Sequence, residues 1–223
     1  MTTRQAAPTI LVTGFPGFLG SELVPRILRR GKKHQVVCLV QPKFAALAGR
    51  RAEAIAASDP AFKNRIEVVT GDITQAQLGL DDAAARPSEI TEIFHLAAAY
   101  DLSVQRDLGM RVNLEGTKHV LDFAAGCPRL ERVQYVSTCY VSGRYAGIYR
   151  EDELDKGQIF NNFYEESKFL AEAAVRDAMR GGLPATIYRP AVVVGDSHTG
   201  ETQKYDGPYF AIRDSDMRIH ELD

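Results

Sequence analysis

The sequence predicts a doubly wound α/β fold, a parallel sheet with helices on both faces, and three observations predict it. Short β-branched runs alternate with longer helical stretches along most of the chain, which is the signature of right-handed βαβ units. The first such run, Thr9–Thr13, leads into glycines at 14, 17 and 20 and then into an amphipathic stretch. The 223 residues are 45% hydrophobic and 25% charged, enough for one full core and an appendage, and ordinary for a globular chain.

Taken in order, residues 17–30 read as a helix because Leu19, Leu23, Ile27 and Leu28 recur on one side. Gln35–Val40 is a second strand, 44–57 an alanine-rich second helix, and Ile66–Thr70 a third strand. Residues 93–97 read as a fourth strand, 110–125 as a long helix, 132–137 as a fifth strand and 161–179 as another helix. A sixth strand covers 185–189 and is followed by Val192, Val193 and Val194. The expected organisation is a dinucleotide-binding Rossmann domain over residues 1–200, followed at 201–223 by the truncated start of a substrate lobe or an irregular tail.

Composition excludes several classes. There is no 18-residue apolar stretch to span a membrane, and the first residues lack the hydrophobic region of a signal peptide. Cys38, Cys127 and Cys139 are odd in number and show no Cys-x-x-Cys spacing, which argues against a disulfide framework or a zinc site and for a cytoplasmic protein. The net charge of −2 argues against nucleic acid, yet residues 1–70 carry 11 Lys/Arg against 4 Asp/Glu. An anionic ligand suits that basic third; a solvated helix face accounts for such charges equally well.

The glycine turn points to a dinucleotide as that anion, with a glycine-rich turn that binds no ligand as the alternative. Glycine at 14 permits a tight turn, at 17 a close approach of backbone amides to a pyrophosphate, and at 20 close packing of helix on strand. A dinucleotide with an unphosphorylated adenine ribose is normally met by an acid at the end of the second strand. Here Gln41, Pro42 and Lys43 stand there, with Arg50 and Arg51 one helix later, which favours NADP(H) and leaves NAD(H) as the alternative. Lys43 also fits a solvated helix start. Asp72 and Ile73 follow the third strand, and Leu96, Ala97 and Ala98 follow the fourth, at the carboxyl rim where such sheets bind ligands. Asp72 suits either the adenine amino group or a turn cap, and His95 reads as a polar residue satisfied at a strand end.

Tyr164 and Lys168 are four apart on one helix face. An ammonium beside a phenol lowers its pKa, and a phenol near a carbonyl oxygen can deliver a proton to it. Ser137 and Thr138 leave the fifth strand, and either hydroxyl can fix a substrate oxygen beside Tyr164.

Together with Gly71-Asp72, His95-Leu-Ala-Ala, Asn113, Gly116-Thr117 and Tyr188-Arg189-Pro190, these motifs run in order over roughly residues 8–196, and the chain resembles an extended short-chain dehydrogenase/reductase. It is most similar to the branch of fatty acyl-CoA reductases and thioester reductase domains, with a male sterility-type NAD-binding domain. The resemblance implies Tyr164 as general acid, Lys168 on the nicotinamide ribose, and Thr138 orienting the carbonyl, with Ser137 as the less favoured neighbour. It further implies dinucleotide contacts from Phe15, Phe18, Leu19, Asn113, Arg189, Pro190 and Val192 beside those named above. Buried amide hydrogen bonding explains Asn113 equally well, and Gln41 departs from the arginine that the branch often carries there. The implied activity is hydride transfer to or from a carbonyl or thioester carbon. A nucleotide-sugar epimerase or dehydratase, or a non-catalytic dinucleotide-binding regulator, are the alternatives. The expected partner is a small-molecule carbonyl, acyl thioester or nucleotide sugar; the helices at 110–125 and 161–179 suit either a homodimer interface or packing within one chain.

Overall fold

The structure, a computed structural model, describes residues 7–100, 105–202 and 209. Six parallel strands form one sheet: β1 (Thr9–Thr13), β2 (Gln35–Val40), β3 (Ile66–Thr70), β4 (Ile90–His95), β5 (Arg132–Val136) and β6 (Ala185–Tyr188), in the order β3-β2-β1-β4-β5-β6. This is the doubly wound order, with the reversal between β1 and β4 opening a crevice at their carboxyl ends. The helices are α1 (Phe18–Arg30), α2 (Ala45–Ser58), the short α3 (Asp82–Ala85), α4 (Arg106–Met110), α5 (Gly116–Ala125) and α6 (Phe163–Arg180).

Alternation along the strands builds two cores. Ile10 and Val12 of β1 and Val36, Cys38 and Val40 of β2 point to Val24, Ile27 and Leu28 of α1 and to Ala48, Ala52 and Ile55 of α2. Leu11, Val37, Leu39, Ile93, Val133 and Tyr135 point the other way, onto Val120, Phe123 and Ala124 of α5 and Ala171 and Val175 of α6. Neighbouring residues therefore serve opposite faces, which is why the inner strands read as continuous apolar runs.

Two elements differ from expectation. β4 begins at Ile90 and ends at His95 rather than covering 93–97. Its early residues are polar but buried because each has a partner: Thr91 Oγ1 donates to Thr9 O (3.2 Å), while Glu92 accepts from Arg30 (2.7 Å) and Gln134 (2.7 Å). The expected helix at 110–125 starts at Arg106 and contains a π-helical turn, Arg111–Glu115, a widening that commonly marks functional sites.

The chain divides into two compact units, Met1–Arg189 and Pro190–Asp223. In the second, Asp196 Oδ1 accepts from the amides of His198 (2.8 Å) and Thr199 (2.9 Å), and the Gly195 amide donates to the Tyr209 hydroxyl (2.8 Å). Val192, Val193 and Val194 belong to this unit, are exposed, and form no strand. Most of the expected lobe start at 204–212 lies outside the described residues. Among the described residues no helix is long and apolar enough to cross a membrane.

Candidate active site

The glycine turn is built by contacts that only hydrogen atoms permit. Gly14 has φ +87°, and a Cβ there would lie 2.8 Å from the backbone of Leu96 and Ala97. A Cβ on Gly20 would lie 2.7 Å from Gly14 O, which also accepts from the Gly17 amide at 3.0 Å. Gly17 then opens α1 with no side-chain cap. The first-turn amides of Phe18, Leu19 and Gly20 have no acceptor within the helix, and the helix dipole adds positive potential at that point. This donor set fits a pyrophosphate. The Phe15 side chain is only 3% exposed and packs in the core beside α1.

At the end of β2, Gln41 Nε2 donates to Asp72 Oδ2 (3.0 Å), and Asp72 Oδ1 accepts from the Thr74 amide (2.8 Å). Asp72 thus caps its own turn. The Lys43 ammonium lies 4.9 Å from the centroid of the Phe44 ring. Ile73 is buried under Gly116. Past β4, the amides of Leu96 and Ala97 both donate to Thr13 Oγ1 (3.2 Å each), and the Ala99 amide donates to Asn113 Oδ1 (2.7 Å). His95 is satisfied at both ring nitrogens, by Thr13 Oγ1 (2.7 Å) and Thr117 Oγ1 (3.0 Å), and burial pushes its pKa down to about 3.

α6 carries the phenol and the amine. Asn162 caps it, its Oδ1 accepting from the Glu165 amide at 3.0 Å. Lys168, 3% exposed, donates to Val136 O at 2.8 Å and lies 4.4 Å from the centroid of the Tyr135 ring. Burial pulls its pKa down to about 7, against the opposing pull of the Glu172 charge. Tyr164 does not show the expected lowering. Burial raises its pKa, and the neighbouring Thr138 hydroxyl works in the other direction. The reason is directional: the lysine reaches under the end of β5 instead of lying along the helix surface.

The two hydroxyls after β5 part company. Thr138 engages Tyr164 and accepts from the Tyr140 amide (3.3 Å), whereas Ser137 Oγ donates to Glu172 Oε2 (2.7 Å). Glu172 is fully buried, and it also binds Arg176 Nε (3.0 Å) and both Nε (3.1 Å) and Nη2 (2.6 Å) of Arg189. The Arg189 guanidinium therefore points to Glu172 and to the carbonyls of Arg150 and Glu153. Pro190 and Val192 fall in the second unit. Glu172 and Ser167 have no part in the sequence argument for the site. The available signal is that Glu172 lies one helical turn beyond Lys168, beside the core residue Ala171.

The chain is similar to known proteins over most of its length. The family model described as male sterility protein, an NAD-binding domain, matches residues 12–219. The solved terminal R domain from the myxalamid PKS-NRPS biosynthetic pathway superposes with a TM-score of 0.80 at 33% identity, covering 94% of this chain and 55% of that one. The reductase domain of a nonribosomal peptide synthetase from Mycobacterium tuberculosis gives 0.71 at 27% identity, covering 86% and 49%. Fatty acyl-CoA reductase 1 of Arabidopsis thaliana is 31% identical over 170 residues, 67% of this chain and 35% of its own length. The chain thus spans about half of the solved reductase domains and a smaller share of this curated relative. Its glycine turn, parallel sheet and Tyr-x-x-x-Lys helix are those of an extended short-chain dehydrogenase/reductase, and the chain belongs to the male sterility NAD-binding family.

Proposed function

We propose that this chain is the cofactor-binding and catalytic part of a cytoplasmic, NADP(H)-preferring reductase of acyl thioesters and aldehydes. The observation that carries the reading is the placing of Thr138, just past the carboxyl end of β5, beside Tyr164 of α6, with the buried Lys168 one turn along that helix. A bound nicotinamide dinucleotide supplies hydride to the carbonyl carbon. Tyr164 gives its phenolic proton to the carbonyl oxygen as charge develops there, and Thr138 holds that oxygen against the phenol. Lys168, held at Val136 O, presents its amine from below; a sugar hydroxyl or a charged phenolate nearby favours its ammonium form. The first-turn amides of α1 hold the pyrophosphate, and Lys43 supports the preference for a 2′-phosphate because the residues that follow β2, Gln41 and Pro42, supply no acid of their own.

Thermal unfolding with NADP+, NADPH, NAD+ and NADH tests the binding. A ligand at a hundred times its dissociation constant stabilises by about 2.7 kcal/mol, and the phosphorylated pair should give the larger shift. Tyr164→Phe should then abolish NADPH oxidation by an acyl thioester or aldehyde while leaving that shift in place. Undiminished turnover in the variant would remove Tyr164 as the acid.

A further inference from the structure

Beneath the site runs a chain of buried hydroxyls, an imidazole and an amide whose hydrogen positions are forced. Thr117 Oγ1 must donate to Asn113 O, 2.6 Å away, because a carbonyl can only accept. Its single proton is then spent, so at 3.0 Å from His95 Nε2 it accepts, and Nε2 carries the hydrogen. At pH values where the imidazole is neutral, Nδ1 is bare and accepts from Thr13 Oγ1 at 2.7 Å. The Thr13 oxygen keeps its lone pairs for the amides of Leu96 and Ala97, which it accepts at 3.2 Å each. Every group is satisfied and all the hydrogen bonds run one way.

The same chain continues to the backbone of the helix that carries the phenol, α6. Asn113, 1% exposed in the π-helical turn, donates from Nδ2 to Ala99 O (2.9 Å) and to Ser167 Oγ (2.9 Å), and Ser167 Oγ donates to Tyr164 O (3.1 Å). The turn widens at the residue that reaches both the segment after β4, at Ala99, and α6, at Ser167. The groups facing His95 are Thr13 and Thr117, the Tyr135 ring with its centroid 5.7 Å away, and Lys168, whose charge opposes protonation. The Tyr135 hydroxyl faces Thr117 without a hydrogen-bond partner of ordinary geometry.

We propose that His95 is a positioning residue of this site. Its neutral Nε2–H tautomer joins Thr13, beside the glycine turn, to Thr117 and Asn113, beside α6, and holds the dinucleotide-binding turn in register with the helix backbone that carries Tyr164. This rests on the reductase reading for its catalytic consequence, and on geometry alone for the hydrogen-bond chain.

Histidine labelled with nitrogen-15, observed by NMR in the full chain, reads the tautomer directly, with His95 assigned by its disappearance in His95→Asn. The expected spectrum shows a bare Nδ1 and a protonated Nε2 that do not titrate between pH 8 and pH 5. An Nδ1–H tautomer, or a midpoint within that range, would overturn the proposal. Binding and turnover read the function, with NADPH and octanal as probes. The His95→Asn carboxamide oxygen can still accept from Thr13 but cannot reach Thr117. It should hold NADPH within about threefold and lower kcat about tenfold, whereas His95→Leu should weaken NADPH about tenfold as well. Thr117→Val cuts the same link and should add no further loss in kcat to His95→Asn. Multiplied losses, or full kcat in His95→Asn, would mean that the residue acts by packing alone. If His95→Leu does not fold, the asparagine variant and the spectrum still decide. Absence of turnover in the unaltered chain would sink the reductase reading and leave the chain to be judged by NMR and NADPH binding.

Discussion

Glu172→Gln should be among the most damaging conservative substitutions in the molecule. The carboxylate is completely buried, and its partner side chains Arg189 and Arg176 are 11% and 22% exposed. It accepts from Ser137, from Arg176, and twice from Arg189. Glutamine keeps one oxygen for these donors but sets an NH2 against a guanidinium and leaves a buried positive charge uncompensated. Breaking a buried pair from one side costs about 3–5 kcal/mol. Because Arg176 reaches water, the lower end applies: about 3 kcal/mol, or a fall of about 6–12 °C in Tm for a domain of this size. The damage reaches the site, since Arg176 and Arg189 also hold the carbonyls of residues 150–153, and Ser137 lies between Val136, the acceptor of Lys168, and Thr138. The pH dependence adds a second check. Burial alone would raise the Glu172 pKa, but hydrogen bonds from Arg189 and Ser137 outweigh it and hold it below 4.5. A carboxyl depressed by folding contributes its full stability above its unfolded pKa and loses it as pH falls through the folded one. The deficit of Glu172→Gln in urea unfolding should therefore be full from pH 5 to 8 and narrow below about pH 4.5. A loss under about 1 kcal/mol at pH 7, or a deficit that widens in acid, would refute the reasoning.

Gly14→Ala should destabilise the chain by about 1–3 kcal/mol, since φ is +87° and the methyl would meet the Leu96–Ala97 backbone at 2.8 Å; dinucleotide-induced thermal shifts should vanish with it, and a retained shift would count against the glycine-turn site. Lys168→Met should remove a pH slope: the buried amine has its pKa lowered from 10.5 to about 7, so the unfolded chain binds more protons between these values and stability rises with pH across that window. The slope is at most about 1.4 kcal/mol per pH unit, and an unchanged stability profile in the variant would show that the amine is not buried as described. Asn162→Ala, which loses the side-chain cap of α6, should cost about 1 kcal/mol in thermal or urea unfolding; no loss would mean that the cap is replaced by water.

What the residues determine alone is everything governed by local pattern. The strand runs Thr9–Thr13, Gln35–Val40 and Ile66–Thr70 appear in the structure with those bounds, because an apolar, β-branched run ended by glycine or proline leaves the backbone little choice. The glycine turn and the four-residue spacing of Tyr164 and Lys168 belong to the same class. Tertiary structure decided where polar groups go, since a hydrogen bond depends on what another segment presents. The early part of β4 was invisible to periodicity because Thr91 and Glu92 are polar and yet satisfied by β1, Arg30 and Gln134. Ser137 and Thr138 are adjacent hydroxyls in the sequence, and only the fold gives one to Glu172 as a hydrogen bond and sets the other beside Tyr164. The same holds for Lys168: spacing puts it one helical turn from the phenol, but an 18-residue helix packed on the sheet sends its long side chain beneath β5, to Val136 and Tyr135. Spacing along a helix sets which residues share a face; the neighbouring strand sets which way a flexible side chain turns.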